Sequence, residues 1–142
     1  MKAKADKCIF FQLAKAHQAA ARFWNAKLTD HPITSVQGMV LTFLYENDRV
    51  TARELGELST LDSATLTGIL DRLEKGGFIE RLPHPEDRRA LQICLTDGGR
   101  DLGGKLLDMG MAANQEFLCA LTQEEQIVLR MLLAKLRNHE PC

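Results

Sequence analysis

No two of the four cysteines, Cys8, Cys94, Cys119 and Cys142, form a Cys-x-x-Cys pair. Their scatter counts against a structural zinc site and against a secreted disulfide framework. Long hydrophobic runs are missing too. The apolar segment CIFFQLA after MKAKADK is far too short to span a membrane, and no secretory cleavage pattern accompanies it. The expected location is the cytoplasm, with no membrane partner. His17, His31, His84 and His139 are not grouped with acids or cysteines at catalytic or metal spacing, and no glycine-rich phosphate loop appears. An enzyme is therefore the weakest reading, and neither a cofactor nor a metal is expected. The chain also lacks a net charge of either sign: 18 basic against 19 acidic groups leave −1.

That balance hides an uneven distribution. Residues 1–33 hold six basic and two acidic groups, a net of +4. Residues 34–96 hold seven and ten, a net of −3, and residues 97–142 hold five and seven, a net of −2. Any reading that involves nucleic acid must rest on where charges point, not on their sum.

What the 142 residues do contain is one domain's worth of core, with 45% hydrophobic residues, and unusually firm helix starts. Thr34 and Gln37, Thr51 and Glu54, and Thr122 and Glu125 are each spaced as a capping box, in which hydroxyl and N3 side chain satisfy each other's orphan amides. Thr96-Asp97 supplies a fourth cap, with an acid in the first turn. The predicted elements are a first helix from roughly Asp6 to Leu28, ending before His31-Pro32, then helices at about Ser35–Tyr45, Ala52–Leu58 and Ser63–Lys75. The last of these stops at Gly76-Gly77. FIERLPH and ALQICL then alternate like two strands around PEDRR, and helices at about Asp97–Ala120 and Gln123–Asn138 follow. The flanking helices are apolar on more than one side, which one small domain cannot bury alone; a homodimer with interleaved terminal helices would bury them.

The chemistry concentrates in two neighbouring elements. In DSATLTGILDRLEKGG, Leu66, Ile69, Leu70 and Leu73 share one face. Opposite them lie Ala64, Gly68, Asp71, Arg72 and Lys75, with Ser63, Thr65 and Thr67 near the amino end. Small residues there suit entry into a DNA major groove, hydroxyls can contact bases or phosphates, and Arg72 and Lys75 can reach phosphate. The solvated face of an ordinary amphipathic helix satisfies the same pattern. The hairpin adds a second signal: Pro83 and Pro85 stiffen a turn that carries Arg88 and Arg89, residues suited to a narrow minor groove. Asp87 or Glu86 is placed to brace one arginine by a bidentate pair. The fold class is thus mainly α with a small β-hairpin wing: a winged helix-turn-helix with N- and C-terminal dimerisation helices. A winged-helix module that binds protein instead of DNA is the alternative, supported by the negative balance of residues 34–96.

The stretch LDSATLTGILDRLEKGGFIERLPHPEDRRALQICLTDGG resembles the MarR family of winged-helix transcriptional regulators. It shares the leucine-spaced recognition helix, the GG-aromatic-Ile-x-Arg entry to the hairpin, the DRR wing and the LT-x-x-G start of the next helix. The resemblance extends over nearly the whole chain. It implies a single domain whose DNA-binding lobe covers about 34–96 and whose dimerisation helices cover about 6–28 and 97–138. It further implies a homodimer that binds a pseudopalindromic site in double-stranded DNA, usually as a repressor. Ser63, Ala64, Thr65, Thr67 and Arg72 fall at recognition-helix contact positions, and Arg88 and Arg89 at the wing with Asp87 bracing. Thr34, Ser35 and Gln37 open a helix that in the family approaches the backbone, and Arg53 is a further phosphate candidate.

Two routes for switching such a regulator follow from the resemblance. One is a small aromatic or phenolic ligand between the dimer helices and the winged lobe. Its candidate residues are Phe11, Lys15, His17, Trp24, Met39, Phe43, Leu107 and Met111, with Lys15 or His17 pairing a carboxylate. The other is Cys8, beside Lys7, which resembles the early cysteine of the organic-hydroperoxide-sensing branch; that branch's tyrosines have no counterpart here, since Tyr45 is not at a matching position. Cys94 and Cys119 are expected to serve packing. Gly103 and Gly104, in mid-helix, are expected to pack closely against the first helix and to act as a pivot.

Overall fold

The computed structural model describes residues 7–138. Six helices and a three-stranded antiparallel sheet follow one another as α1 (Ile9–Lys27), α2 (Ser35–Glu46), β1 (Val50–Thr51), α3 (Ala52–Ser59), α4 (Ser63–Lys75), β2 (Ile79–Pro83), β3 (Leu91–Leu95), α5 (Asp97–Phe117) and α6 (Gln123–Arg137). The sheet order is β1-β3-β2, with Ile79 opposite Leu95 and Pro83 opposite Leu91 in the hairpin. Among the described residues no helix is long and apolar enough to cross a membrane.

The caps form as their spacing requires. Thr34, Thr51 and Thr122 each accept the amide of the residue three ahead, while Gln37, Glu54 and Glu125 reach back to the cap amides. Thr96 Oγ1 accepts the Gly99 amide at 3.0 Å and donates to the Gly77 carbonyl at 2.7 Å. That one hydroxyl fastens the start of α5 to the turn that ends α4. Thr60, the C-cap of α3, holds a left-handed φ of 56°, unusual for a β-branched residue, and so turns the chain sharply into α4.

The core lies between α2, α3, α4, the sheet and the first half of α5. Leu41, Leu44, Leu55, Leu70, Leu73, Ile79, Ile93 and Leu106 are fully buried, and the four apolar residues foreseen for α4 all point into it. By contrast α1 and α6 contain no buried residue. Ile9, Phe10, Ile127, Val128, Met131, Leu132, Leu133 and Leu136 stand exposed on them. The expectation of long apolar helices that one chain cannot cover is thereby met in geometry.

Several boundaries differ. Helix α1 starts at Ile9 rather than near Asp6, which lies outside the described residues, and its N-cap Cys8 makes no side-chain capping bond because a thiol is a weak acceptor. Helix α5 ends at Phe117, not Ala120. Residues 118–121 form a turn whose Leu118 and Leu121 carbonyls accept from Gln126 Nε2 at 3.2 Å. The two-residue β1 was not foreseen, being too short to alternate. The glycine expectation also needs correction. Gly103 and Gly104 face α2, not α1: a Cβ on Gly103 would lie 3.1 Å from Tyr45 Cβ, and one on Gly104 3.3 Å from the Tyr45 ring. It is Gly110 that faces α1, through Trp24.

Candidate nucleic-acid interface

Helix α4 presents its amino end and one flank to solvent. Ser63, Ala64, Thr65, Thr67, Arg72 and Lys75 are all exposed, and Gly68 is half-buried with open space where a Cβ would stand. The cap that starts this helix is Asp62, which the sequence reading passed over. Its carboxylate accepts the Thr65 amide at 2.9 Å and the Thr65 hydroxyl at 2.6 Å. Thr67 donates to the Ser63 carbonyl at 2.8 Å. Both threonine hydroxyls therefore give their protons to the helix itself, and offer outward lone pairs and methyl groups.

The Thr65 hydroxyl, followed by its amide, holds the Asp62 carboxyl below its ordinary range. A depressed folded value contributes stability that is complete above the unfolded pKa and fades as pH falls through the folded one. Thermal unfolding of the wild type is thus expected to lose part of its stability below about pH 4, where unfolded aspartates titrate. Asp62→Asn should lose less over the same range, and an equal loss in both would contradict the assignment.

The wing sits beside α4 because Arg81 of β2 ties it there. Its guanidinium bonds Asp71 at 2.7 Å and also Glu74, both on α4. This junction was missed in the sequence, where an Arg on one strand and two acids on a helix three apart show no link until the hairpin folds back. The tie also answers the charge question. Asp71 and Glu74 share the single positive charge of Arg81, Asp48 pairs with Arg100, and Asp62 and Glu54 are engaged in helix caps. Arg72, Lys75, Arg88 and Arg89 are exposed, and none of them takes part in an ion pair among the described residues. Several acids of residues 34–96 are thus held in ion pairs or helix caps, while these four cations are not.

The remaining expected contacts divide. Asp87 does not brace a guanidinium: its carboxylate accepts the backbone amide of Arg89 at 2.9 Å, because the tight turn brings that amide closer than either arginine head. Thr34 and Gln37 are occupied by their own capping box, with Ser35 half-buried beside them. Arg53 is exposed and pairs with Glu57 at 3.3 Å, a surface pair weak enough to exchange for a phosphate.

Trp24, Met39, Phe43, Leu107 and Met111 do come together, lining a cavity of about 260 Å³ between α1, α2 and α5 with Thr42, Leu106, Gly110 and Asn114. Phe11, Lys15 and His17 do not reach it. They lie exposed farther up α1, where Lys15 stands 5.2 Å from the Phe11 ring centre. The expected pairing of a carboxylate by Lys15 or His17 is therefore not built within one chain. Cys8 is exposed, and Cys119 is exposed rather than packed because α5 has already ended. Cys94 is buried in the core as expected, and burial, with Asp48 nearby, pushes its thiol up and away from the reactive thiolate. Cys142 lies outside the described residues.

Comparison with known proteins is consistent with this geometry. Residues 33–91 match the profile of the MarR family. The HTH-type transcriptional regulator TtmR of Methylorubrum extorquens is 38% identical over 101 residues, 71% of this chain. The chain spans 52% of the length of TtmR and 65% of that of the SarZ regulator of Staphylococcus epidermidis. The multiple antibiotic resistance protein MarR of Escherichia coli is 34% identical over 84% of this chain and 83% of its own length. The structure of a single-site mutant of that protein complexed with operator DNA superposes with a TM-score of 0.85 at 30% identity, covering 95% of this chain and 99% of the other.

Proposed function

Because the chain belongs to the MarR family, we propose that it is a homodimeric transcriptional repressor acting in the cytoplasm. It reads a pseudopalindromic operator with α4 in the major groove and the wing in the minor groove. The observation that carries this reading is the edge formed by α4 and the hairpin. Helix α4 exposes a face of small and hydroxyl-bearing residues, Ser63, Ala64, Thr65 and Thr67, and Arg72 and Lys75 of α4 and Arg88 and Arg89 of the wing are exposed and in no ion pair among the described residues. Wing arginines without acidic partners among the described residues suit a phosphate-rich partner better than a protein one.

Residues 34–96 form the DNA-binding lobe in this reading, and α1, α5 and α6 join the protomers. Support for the dimer is the exposed apolar stripe on α6, from Ile127 to Leu136, together with Ile9 and Phe10 on α1. A single chain leaves them in water, which is unfavourable by about 25 cal/mol per Å² of apolar surface. The two α4 helices must then stand about 34 Å apart to enter successive major grooves.

Release is by a small aromatic molecule in the cavity beneath Trp24. Its walls are apolar apart from Thr42 and Asn114, which favours an uncharged or phenolic ring over a carboxylate. Oxidation of Cys8 is the competing route. Its thiol makes no side-chain capping bond to α1, whereas the cavity is already formed, so the ligand route is the one favoured. Organic hydroperoxide should leave operator affinity unchanged, and loss of binding that Cys8→Ser abolishes would reverse that choice.

Selection of duplexes from a random pool tests the main proposal. An enriched inverted repeat with half-sites about one helical turn apart is expected. No enrichment at low salt from a folded dimer would favour the protein-binding alternative. Gly68→Ala then separates folding from recognition. An alanine gains about 1 kcal/mol of helix stability over glycine, and its methyl would enter open space on the α4 flank. The expected variant is more stable yet binds the selected duplex less tightly. Unchanged affinity would place Gly68 outside the interface.

A further inference from the structure

Two side chains fold the loop at the wing tip. His84 Nδ1 accepts the backbone amides of Glu86 and Asp87, both at 3.2 Å, and the ring is half-buried. The His84 amide donates to the Ala90 carbonyl at 3.0 Å, and the Ala90 amide to the Asp87 carbonyl at 3.1 Å. Asp87 completes the turn by holding the Arg89 amide. Side chains that accept amides two and three residues ahead are ordinarily Asp, Asn, Ser or Thr. An imidazole can do so only while Nδ1 carries no hydrogen, which requires the neutral ring with its proton on Nε2. Pro83 and Pro85 flank it with fixed φ and no amide, so the backbone there has few other ways to close. Of the acceptors that shape the tip, the imidazole nitrogen is the one that accepts two amides.

We propose that His84 is the positioning residue of the wing: its neutral ring fixes the turn that aims Arg88 and Arg89, and protonation of that ring releases it. The inference rests on the DNA-binding reading and supplies a form of regulation for the same site, a regulator whose grip weakens in acid. The charged groups around the ring come from two elements. Glu54, at the start of α3, interacts electrostatically with His84, and Glu86 and Asp87 belong to the tip itself, with Arg88 and Arg89 following. Glu54 is oriented by the Thr51 amide and hydroxyl at 2.7 and 2.8 Å. A charged ring keeps these acids as neighbours but loses both amides, so the turn opens without the ring leaving the wing.

The test uses the full chain, followed by NMR from about pH 7.5 to about pH 5.5, the range in which histidine side chains change charge. It compares wild type with His84→Asn, whose amide oxygen accepts without titrating, and His84→Ala, which cannot accept. In the wild type the Glu86 and Asp87 amide resonances should move together with the His84 ring, and in His84→Asn they should stay fixed. Affinity for the selected duplex should fall in acid about fivefold to tenfold further for the wild type than for His84→Asn, as expected for loss of two ordinary hydrogen bonds. His84→Ala should bind weakly throughout. The comparison cancels the other histidines.

Amides that ignore His84, or wild type and His84→Asn with the same pH profile of affinity, would overturn the proposal. Duplex binding that still depends on Arg89 would leave the regulator reading standing in that case. Conversely, amides that follow His84 in a protein that binds no duplex would sink the regulator reading and leave the turn assignment intact.

Discussion

Alanine at both Arg88 and Arg89 should weaken operator binding about a hundredfold without lowering the unfolding temperature. The magnitude follows from about 1.4 kcal/mol, or tenfold, for the wing contacts of each protomer, with two wings per dimer. Both side chains are exposed and form no ion pair among the described residues, so their removal leaves no buried group orphaned and stability should stay within about 0.5 kcal/mol of wild type. The salt dependence should flatten as well, with the slope of log K against log salt reduced by about 2 or more, because the wing no longer displaces counterions. Titration of the selected duplex at several salt concentrations reads both effects. A variant that binds as tightly as wild type, with the same slope, would mean that the wing touches nothing on DNA.

The second large effect concerns stability. Gly99→Ala should destabilise the protein by about 3 kcal/mol, the upper end of the usual cost of overpacking. A Cβ at Gly99 would lie 1.8 Å from the Phe78 carbonyl oxygen and 2.8 Å from its carbon. These are backbone atoms, and the same carbonyl accepts the Thr96 amide at 3.1 Å, so relief would break the bond that seats α5. Gly77, at φ 78°, and Thr96, through its bond to the Gly77 carbonyl, complete that junction. The junction also joins α5, which packs on α1 and α2, to the end of α4. Urea denaturation should show a lower midpoint with an unchanged slope. A change under about 0.5 kcal/mol, the range of ordinary surface substitutions, would show that the contact yields easily.

Much of this arrangement was legible in the sequence because it is local. Helix α4 runs from Ser63 to Lys75 as its leucine spacing and Gly76-Gly77 require, because both signals lie within the chain itself. The three capping boxes and the Thr96 cap were readable for the same reason. What escaped depends on chain segments that meet only after folding. Arg81 reaches back ten residues to Asp71 and seven to Glu74, and no spacing rule joins a strand residue to a helix flank. The two residues of β1 are a strand only because β3 lies beside them. His84 looked like one more scattered histidine, and Asp87 like a brace for arginine; in both cases the partner is a backbone amide, which residue identity does not reveal. The Asp62 cap carries a readable signal, an acid directly before a helix, but Asp62 and Ser63 are both favoured cap types and residue identity does not choose between them. The cavity beneath Trp24 was half legible: the apolar residues share faces that meet, whereas Lys15 and His17 stand farther up a helix whose relation to α5 no sequence pattern sets.

The central claim is that each protomer carries a complete two-part reader, a helix for the major groove and an arginine wing for the minor groove beside it. A hydroxyl-radical footprint on the selected operator, with wild type and the Arg88→Ala, Arg89→Ala double variant side by side, tests it most directly, because the radical attacks sugars along the minor groove. The account predicts protected patches flanking both half-sites in the wild type, with loss of those flanks and retention of the half-sites at raised concentration in the variant. Flanking protection that persists without the arginines, or a wild-type footprint with no minor-groove flank, would contradict it.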